Sequence, residues 1–103
     1  MKPMKYVSEF TLKAGTQLEY KRRHDELWPE MAALIKEADI CNYSIWNIGT
    51  KLIEYFETDN IERAHQVLSE SNIKQRWDEY MSDILVFNEK GEKTQLRLMF
   101  ELN

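Results

Sequence analysis

The sequence is poor in the residues that build disulfide frameworks, linkers and membrane spans. It contains one cysteine, two prolines and three glycines in 103 residues. A single cysteine, Cys41, excludes an internal disulfide framework and is typical of a reducing compartment. The longest apolar run, Met31 to Ile35, is far too short to span a bilayer. The first four residues are not followed by the apolar core of a signal peptide. We therefore predict a cytoplasmic protein with no membrane partner.

An excess of positive charge is also absent. The chain carries 14 basic and 18 acidic residues, for a formal net charge of −4, whereas nucleic-acid binders usually present a basic surface. The densest basic cluster, Lys21 to Arg23, is typical of a solvated helix face. There is no Cys/His cluster with zinc spacing and no glycine-rich phosphate loop. The sequence therefore predicts no nucleic-acid partner, no metal and no cofactor.

What the chain does have is enough apolar material for one core. Hydrophobic residues make up 43% of the sequence and charged residues 31%, with three Trp, five Tyr and four Phe among them. This balance is typical of a folded protein, because disordered chains are less hydrophobic and carry more uncompensated charge. No segment has the composition of a linker, and no repeat is visible. Residues 1–103 are thus predicted to form a single domain.

The hydrophobic periodicity predicts alternating strands and helices. Lys5 to Leu12 has the two-residue period of a strand, whereas residues 17–37 have helical spacing. Pro29 interrupts that helix, so we expect a kink or a second helix with Pro29 near its first position. Two further strands, Asn42 to Ile48 and Lys51 to Glu57, flank Gly49–Thr50 as a hairpin.

The second half of the chain repeats this alternation. Helical spacing extends over Asn60 to Ser69 and again from Ser71 to Ile84, and a polar loop is predicted over Asn88 to Thr94. The alternation of Gln95 to Leu102 predicts a final strand. The order β-α-β-β-α-β is that of an α+β, ferredoxin-like fold with a four-stranded antiparallel sheet. Its second sheet face would remain open, so we expect a homodimer in which two sheets form a dimeric α/β barrel.

Two side chains on the first helix could move protons. Tyr20 and His24 are four residues apart and therefore lie on one helix face. A phenol and an imidazole that converge in this way suit acid–base chemistry on a neutral, hydroxyl-rich molecule. Each also has a structural interpretation, as a packed imidazole and a core aromatic. The spacing alone does not separate these alternatives.

Two aromatic residues elsewhere have a similar double interpretation. Alternation places Tyr43 and Ile45 on the same sheet face, where Tyr43 could pack across strands or line a pocket. Trp77 has the spacing of a helical core position. If it lines a pocket instead, its flat ring can stack on the C–H face of a pyranose while other groups bond the hydroxyls.

These stretches resemble, in order and spacing, the L-rhamnose mutarotases, small enzymes that interconvert the anomers of a deoxysugar. The matching positions run from near the N-terminus to Leu102: Tyr20 with His24, Trp28–Pro29–Glu30, Asn42–Tyr43, Gln75–Arg76–Trp77, Tyr80–Met81 and Phe100. The resemblance implies a dimer of ferredoxin-like subunits and a sugar substrate. It also implies that His24 is the proton donor and that Tyr20, Tyr43 and Trp77 bind the sugar.

The chain departs from the family pattern at Asp78, where a second tryptophan usually follows the first. A carboxylate removes a stacking surface and adds an acceptor, so Asp78 either bonds a sugar hydroxyl as part of the binding site or points into water. The departure leaves the identity of the sugar open between L-rhamnose, fucose-type sugars and other deoxysugars or hexoses.

The mechanism that the resemblance implies is acid–base opening and closure of the pyranose ring. His24 is the expected acid and base, with Tyr20 and Tyr43 orienting hydroxyls and Trp77 stacking. The opposing base is left open between Tyr20, Asp78 and water. Two other functions fit such a fold: a haem-degrading or cofactor-free oxygenase, and a non-enzymatic module that binds a partner on its open sheet.

Overall fold

The computed structural model describes residues 3–86 and 93–103, and in them four helices pack on one antiparallel sheet. The elements are β1 (Met4–Leu12), α1 (Gln17–Asp25), α2 (Pro29–Glu37), β2 (Cys41–Ile48), β3 (Lys51–Thr58), α3 (Ile61–Ser69), α4 (Asn72–Met81), β4 (Leu85–Val86) and β5 (Thr94–Gln95). The predicted order is confirmed, with a pair of helices at each of the two helical positions.

The sheet has the strand order β2-β3-β1, and β4 and β5 share the remaining edge of β1. β4 pairs with Thr11 and Leu12, and β5 pairs with Ser8 and Glu9, both antiparallel to β1. The two short strands therefore follow each other along β1 and together occupy the fourth position of the predicted sheet.

The prediction of a strand from Gln95 to Leu102 is wrong beyond its first residue. β5 ends at Gln95, and the described residues 96–103 have no strand structure, although the backbone N–H of Leu96 donates to the carbonyl of Val7 over 2.8 Å. Alternation shows which side chains share a face, but a strand also needs a neighbour for its backbone hydrogen bonds. Of the predicted loop Asn88 to Thr94, residues 88–92 lie outside the described part, and Thr94 begins β5.

Three of the four helices begin where the sequence places local signals. Pro29 is the first residue of α2 and follows Trp28 in an extended conformation, which separates α2 from α1 as predicted. The side chain of Asn60 accepts a hydrogen bond at the start of α3, and that of Ser71 does so at the start of α4. No helix within residues 3–86 or 93–103 is long and apolar enough to cross a membrane.

The two faces of the sheet differ in what covers them. Along β3 the buried side chains alternate with half-exposed ones, and the buried set faces the helices. This set consists of Leu52, Glu54, Phe56 and Thr58. The opposite face carries Ile53 and Tyr55, together with the exposed Trp46 and Ile48 of β2. The candidate site lies on the helix-facing side.

A one-residue bulge in β2 sets the direction of Tyr43. Cys41 pairs with Glu57 and Ser44 with Tyr55, so β2 has one more residue than β3 in this interval. Asn42 lies within the bulge at φ 50°, a left-handed conformation that asparagine adopts more easily than most residues. Beyond the bulge, Tyr43 and Ile45 share the helix-facing side, as the alternation predicted.

Candidate active site

His24 lies between two aromatic rings on the inner face of α1. Its imidazole stacks on the Tyr20 ring at 4.2 Å between centroids, and the Trp77 ring of α4 meets it edge-on at 5.3 Å. The predicted convergence of Tyr20 and His24 is therefore a direct ring contact. The contact extends to α4 through Trp77, so α1 and α4 meet at this cluster of rings.

A backbone hydrogen bond defines which nitrogen of His24 can titrate. Nδ1 lies 3.2 Å from the carbonyl oxygen of Tyr20. A carbonyl only accepts, so Nδ1 carries the hydrogen, and Nε2 is the nitrogen that gains or loses a proton. This geometry fixes the imidazole for proton transfer through a single atom.

Burial lowers the pKa of His24 from its usual value of 6.5, and the positive charge of Lys93 acts in the same direction. The bond to the Tyr20 carbonyl and the charges of Glu54 and Asp25 oppose this shift. In the folded protein the neutral imidazole is therefore favoured more than in a free histidine.

Tyr20 is a buried phenol that remains protonated. Its ring packs against Phe10 of β1 at 6.3 Å and is only 7% exposed. Burial raises the pKa of Tyr20 well above 10, and the negative charge of Glu54 raises it further. Tyr20 can therefore donate a hydrogen bond to a ligand oxygen, but its phenolate is not accessible at neutral pH.

Tyr43 reaches the same region from the sheet. Its ring stacks on Phe56 at 6.1 Å, and its hydroxyl donates to Oε2 of Glu54. The residue as a whole is 38% exposed, but the hydroxyl end points inward to the buried carboxylate. Burial, followed by the charge of Glu54 and this hydrogen bond, holds the pKa of Tyr43 well above 10.

Glu54 is a buried carboxylate that the sequence analysis did not select. It is 6% exposed, and its Oε2 accepts both from Tyr43 and, over 2.8 Å, from Nζ of Lys93. Glu54 occupies an inward position of β3, between Leu52 and Phe56, which is the signal that could have identified it. Lys93 stands in a polar stretch and has no comparable signal. Its ammonium also lies 4.6 Å from the centroid of the Phe10 ring.

An aromatic wall continues from Trp77 toward the surface. Trp77 is 6% exposed, and Trp28 meets it edge-on at 5.0 Å. Tyr80 stacks on Trp28 at 5.5 Å. Trp28 and Tyr80 are more exposed than Trp77, so the wall offers a ligand flat apolar surfaces at its outer end.

Asp78 is not brought into this cluster. Its carboxylate pairs with Nζ of Lys74 at 2.5 Å, and its side chain is 54% exposed. The next residue after Trp77 on a helix points about 100° away from it, which explains why one enters the aromatic wall and the other faces water. Of the predicted site residues, the structure therefore groups Tyr20, His24, Tyr43 and Trp77.

Arg23 holds α1 against the end of α4 and so supports the position of His24. Its side chain is 10% exposed, and its guanidinium contacts Asp83 at 2.8 Å and donates to the Tyr80 carbonyl over 2.7 Å. It also pairs with Glu19 at 2.6 Å. The prediction of a solvated basic cluster is thus wrong for Arg23, because this residue has partners on α4 as well as on its own helix.

Neither a metal site nor a second pocket adds to the candidate site in the described residues. Within residues 3–86 and 93–103, no group of three or more His, Cys, Asp or Glu side chains could hold a metal ion. A shallow depression is lined by Pro3, Lys36, Asp39, Ile40, Cys41, Thr58 and Asp59. Thr58 lies four residues beyond Glu54 on β3, roughly 13 Å along the strand. The depression is therefore separate from the candidate site.

Comparison with known proteins gives one consistent family. The family model for L-rhamnose mutarotase matches residues 5–102. The L-rhamnose mutarotase of Bacteroides thetaiotaomicron is 34% identical over 88 residues, which cover 84% of this chain and 85% of the relative. The crystal structure of an L-rhamnose mutarotase from Formosa agariphila superposes with a TM-score of 0.84 at 25% identity, covering 97% of this chain and 99% of that one.

A more distant structure shares the fold alone. A dimeric ferredoxin-like protein from an uncultured marine organism superposes with a TM-score of 0.58 at 13% identity, over 100% of this chain and 95% of its own. The ferredoxin-like prediction is thereby confirmed. Of the three functions left open by the sequence, the family match supports the sugar isomerase over the oxygenase and the partner-binding module. The chain belongs to the L-rhamnose mutarotase family, whose members are enzymes of sugar anomer exchange.

Proposed function

We propose that this enzyme interconverts the α and β anomers of L-rhamnose or a related deoxysugar by opening and closing the pyranose ring. The observation that carries the proposal is the position of His24. Its ring is held between Tyr20 and Trp77, and the Tyr20 carbonyl occupies Nδ1, so that Nε2 is the nitrogen left for a sugar oxygen.

Opening of the pyranose ring requires one proton to be added to the sugar and another to be removed from it. An acid protonates the ring oxygen while a base removes the proton of the anomeric hydroxyl, and the ring opens to the free aldehyde. After rotation about the C1–C2 bond, the ring closes on the other carbonyl face and the proton transfers reverse. Because an imidazole ordinarily titrates close to neutral pH, one histidine can serve in both directions.

The other grouped residues supply binding. Tyr20 and Tyr43 are neutral phenols at neutral pH and would orient sugar hydroxyls. Trp77, with Trp28 outside it, would provide the apolar wall against which the C–H face of the pyranose packs. Asp78 is omitted from this proposed set because its carboxylate is engaged by Lys74 on the exposed side of α4.

Saturation-transfer NMR on equilibrated sugar tests this function directly. Magnetisation is transferred between the two anomeric protons with and without the purified protein, for L-rhamnose, L-fucose and common hexoses. We expect faster exchange that scales with protein concentration for at least one deoxysugar. Exchange at the uncatalysed rate for every sugar would refute the proposed function.

We also propose that the enzyme is a homodimer that buries the open sheet face. Trp46 is 67% exposed and Ile48 is 71% exposed on that face. The described C-terminal residues add an apolar series, with Leu98, Met99, Phe100 and Leu102 each at least 65% exposed. Exposed apolar side chains in this number usually mark a protein interface. The distant structural relative that shares the fold is itself dimeric.

Sedimentation at micromolar concentration measures this assembly. A dimer of twice the 12.4 kDa chain mass is expected, and a stable monomer would refute the assembly without touching the site on the other face of the sheet. We place the enzyme in the cytoplasm as part of the same proposal, because Cys41 is an exposed free thiol that suits a reducing compartment.

A further inference from the structure

We infer that Glu54 is the second acid–base group of the mutarotation and that it exchanges the anomeric proton through the hydroxyl of Tyr43 while His24 serves the ring oxygen. The inference rests on the proposed function and supplies the opposing base that the sequence analysis left open.

The position of Glu54 is unusual for a carboxylate that only stabilises the fold. Within the described residues, Glu54 is the one buried acidic side chain. The positions on either side of it on the same face of β3 are filled by the apolar residues Leu52 and Phe56. Burial of a carboxylate costs several kcal/mol unless it is paired, and its cationic partner Lys93 is 44% exposed. An apolar residue would fill this position at less cost, so the carboxylate is best explained by use in the reaction.

The contacts of Glu54 suit a proton relay. Tyr43 already donates its hydroxyl hydrogen to Oε2, so a sugar hydroxyl that donates to Tyr43 would complete a chain to the carboxylate. Lys93 donates to the same oxygen, and neither donor uses Oε1. Lys93 also contacts the Phe10 ring, which packs against Tyr20, so these contacts place the carboxylate near the cluster to which His24 belongs.

The other candidates for the base are weaker. Tyr20 would need to be a phenolate, and its burial and the nearby Glu54 charge oppose that form. Asp78 is held by Lys74 on the exposed side of α4. Among the described residues, Glu54 is the carboxylate that is buried near the cluster and hydrogen-bonded to one of its phenols.

The proton count balances with these two groups alone. In ring opening, imidazolium Nε2 of His24 gives its proton to the ring oxygen, which takes the electrons of the broken C1–O bond. The electrons of the anomeric O–H bond form the aldehyde carbonyl. That proton moves to Tyr43, whose own hydrogen moves to Oε2 of Glu54. Ring closure on the other face reverses each transfer, so no further reactant is required.

Glu54→Gln is the primary test, with wild type and Glu57→Gln measured beside it. Glutamine can still accept a hydrogen bond from Tyr43 but cannot take a proton, so anomer exchange should fall by ~10²-fold or more. Glu57 is a matched control because it accepts from Tyr55 on the opposite face of the same strand. Its variant should stay within about twofold of wild type.

The pH profile distinguishes two roles of Glu54: accepting a proton during the reaction, or only holding Tyr43 in position. The wild-type rate should fall on both the acid and the alkaline side, since the cycle needs one proton shared between His24 and Glu54. The residual activity of Glu54→Gln should lack one limb of the wild-type profile, because one of the two proton-transfer groups is absent. If the wild-type enzyme is active and Glu54→Gln is nearly as fast, this inference alone is overturned. If the wild-type protein is inactive, the proposed function and this inference are overturned together.

A second variant addresses the case in which Glu54→Gln does not fold. Glu54→Ala removes the carboxylate and leaves space for a small acid, so added formate should restore part of the lost rate. Acetamide, which is neutral and of similar size, should not. Restoration by both compounds, or by neither in a folded Glu54→Ala protein with low activity, would show that Glu54 acts through structure and would overturn the inference.

Discussion

Two tyrosine–glutamate pairs on opposite faces of the sheet show how the same two side chains can have different uses. Tyr43 donates to the buried Glu54 on the helix-facing side, and Tyr55 donates over 2.7 Å to Glu57 on the open side. Burial is the largest cause of the raised pKa of Tyr43, whereas for Tyr55 the hydrogen bond to Glu57 is the largest cause and raises its pKa to about 12.

The difference between the pairs follows from their surroundings. The inner pair lies on the helix-facing side of the sheet, near the buried phenol of Tyr20 and the imidazole of His24, whose pKa is lowered. The indole rings of Trp28 and Trp77 belong to the same region. The outer pair lies among half-exposed apolar residues that we propose to be covered by a second subunit. A low-dielectric environment strengthens electrostatic interactions, so proton transfer is assigned to the inner pair and assembly to the outer face.

The largest expected effect separates the two histidines. His24→Ala should lower the anomer exchange rate by ~10²-fold or more while the affinity for sugar changes little, because the imidazole transfers a proton in the transition state. His65→Ala is the control, since His65 is exposed on α3, and its rate should match wild type. Equal losses in both variants would remove His24 from the mechanism. Saturation-transfer NMR gives the rates, and sugar titrations give the affinities.

The next effect concerns the outer face. Trp46→Ala should weaken the dimer by about 2 kcal/mol or more, or roughly 30-fold in dissociation constant, as truncation of a buried interface tryptophan usually does. Leu18→Ala is the matched control, because Leu18 is 84% exposed on the helical side of the subunit. Sedimentation over a concentration series measures both. A dimer that tolerates Trp46→Ala as well as Leu18→Ala would place the interface elsewhere.

A smaller effect compares the two phenols. Tyr43→Phe leaves the buried Glu54 with one donor fewer and should lower the free energy of unfolding by about 1–2 kcal/mol. Tyr55→Phe should have a smaller effect, because Glu57 is half-exposed in the subunit whereas Glu54 is buried on the helix-facing side. Urea denaturation of both variants measures the difference. Equal destabilisation of the two variants would mean that both hydrogen bonds are equally protected from solvent. That result would contradict the difference in burial between Glu54 and Glu57.

The smallest effect is the pH dependence that His24 contributes to stability. Its pKa is lower in the folded protein than the usual 6.5, so below that value the unfolded chain binds more protons than the folded one. Stability from this group is therefore complete above pH 6.5 and decreases as the pH falls toward the lowered pKa. In urea denaturation, wild type should lose more stability on acidification than His24→Gln. A larger loss of stability in His24→Gln than in wild type would contradict a lowered pKa of His24 in the folded protein.

Much of the fold could be predicted because its signals are local. Pro29 separates two helices and Gly49 allows the hairpin turn at φ 58°. The C-terminal strand could not be predicted correctly, because alternation in residues 95–102 says nothing about whether a neighbouring strand exists.

The candidate site was predictable in part. Tyr20 and His24 were found because helix periodicity fixes their relation, and alternation correctly placed Tyr43 on the same sheet face as Ile45. Glu54 was missed because a glutamate between aromatic and β-branched residues also suits the exposed face of a strand. Its burial results from its inward position in the sheet and from partners distant in sequence such as Lys93. Lys93 reaches the site only through the pairing of β5 with β1.

The assignment of chemistry to the helix-facing side is tested most directly by the indole N–H signals of the three tryptophans during a titration with L-rhamnose. Trp77 and Trp28 belong to the candidate site, whereas Trp46 lies on the opposite face of the sheet. We predict that sugar shifts the Trp28 and Trp77 resonances in a saturable way and leaves that of Trp46 unchanged. A saturable shift of Trp46 alone would place the sugar on the open face and contradict the account.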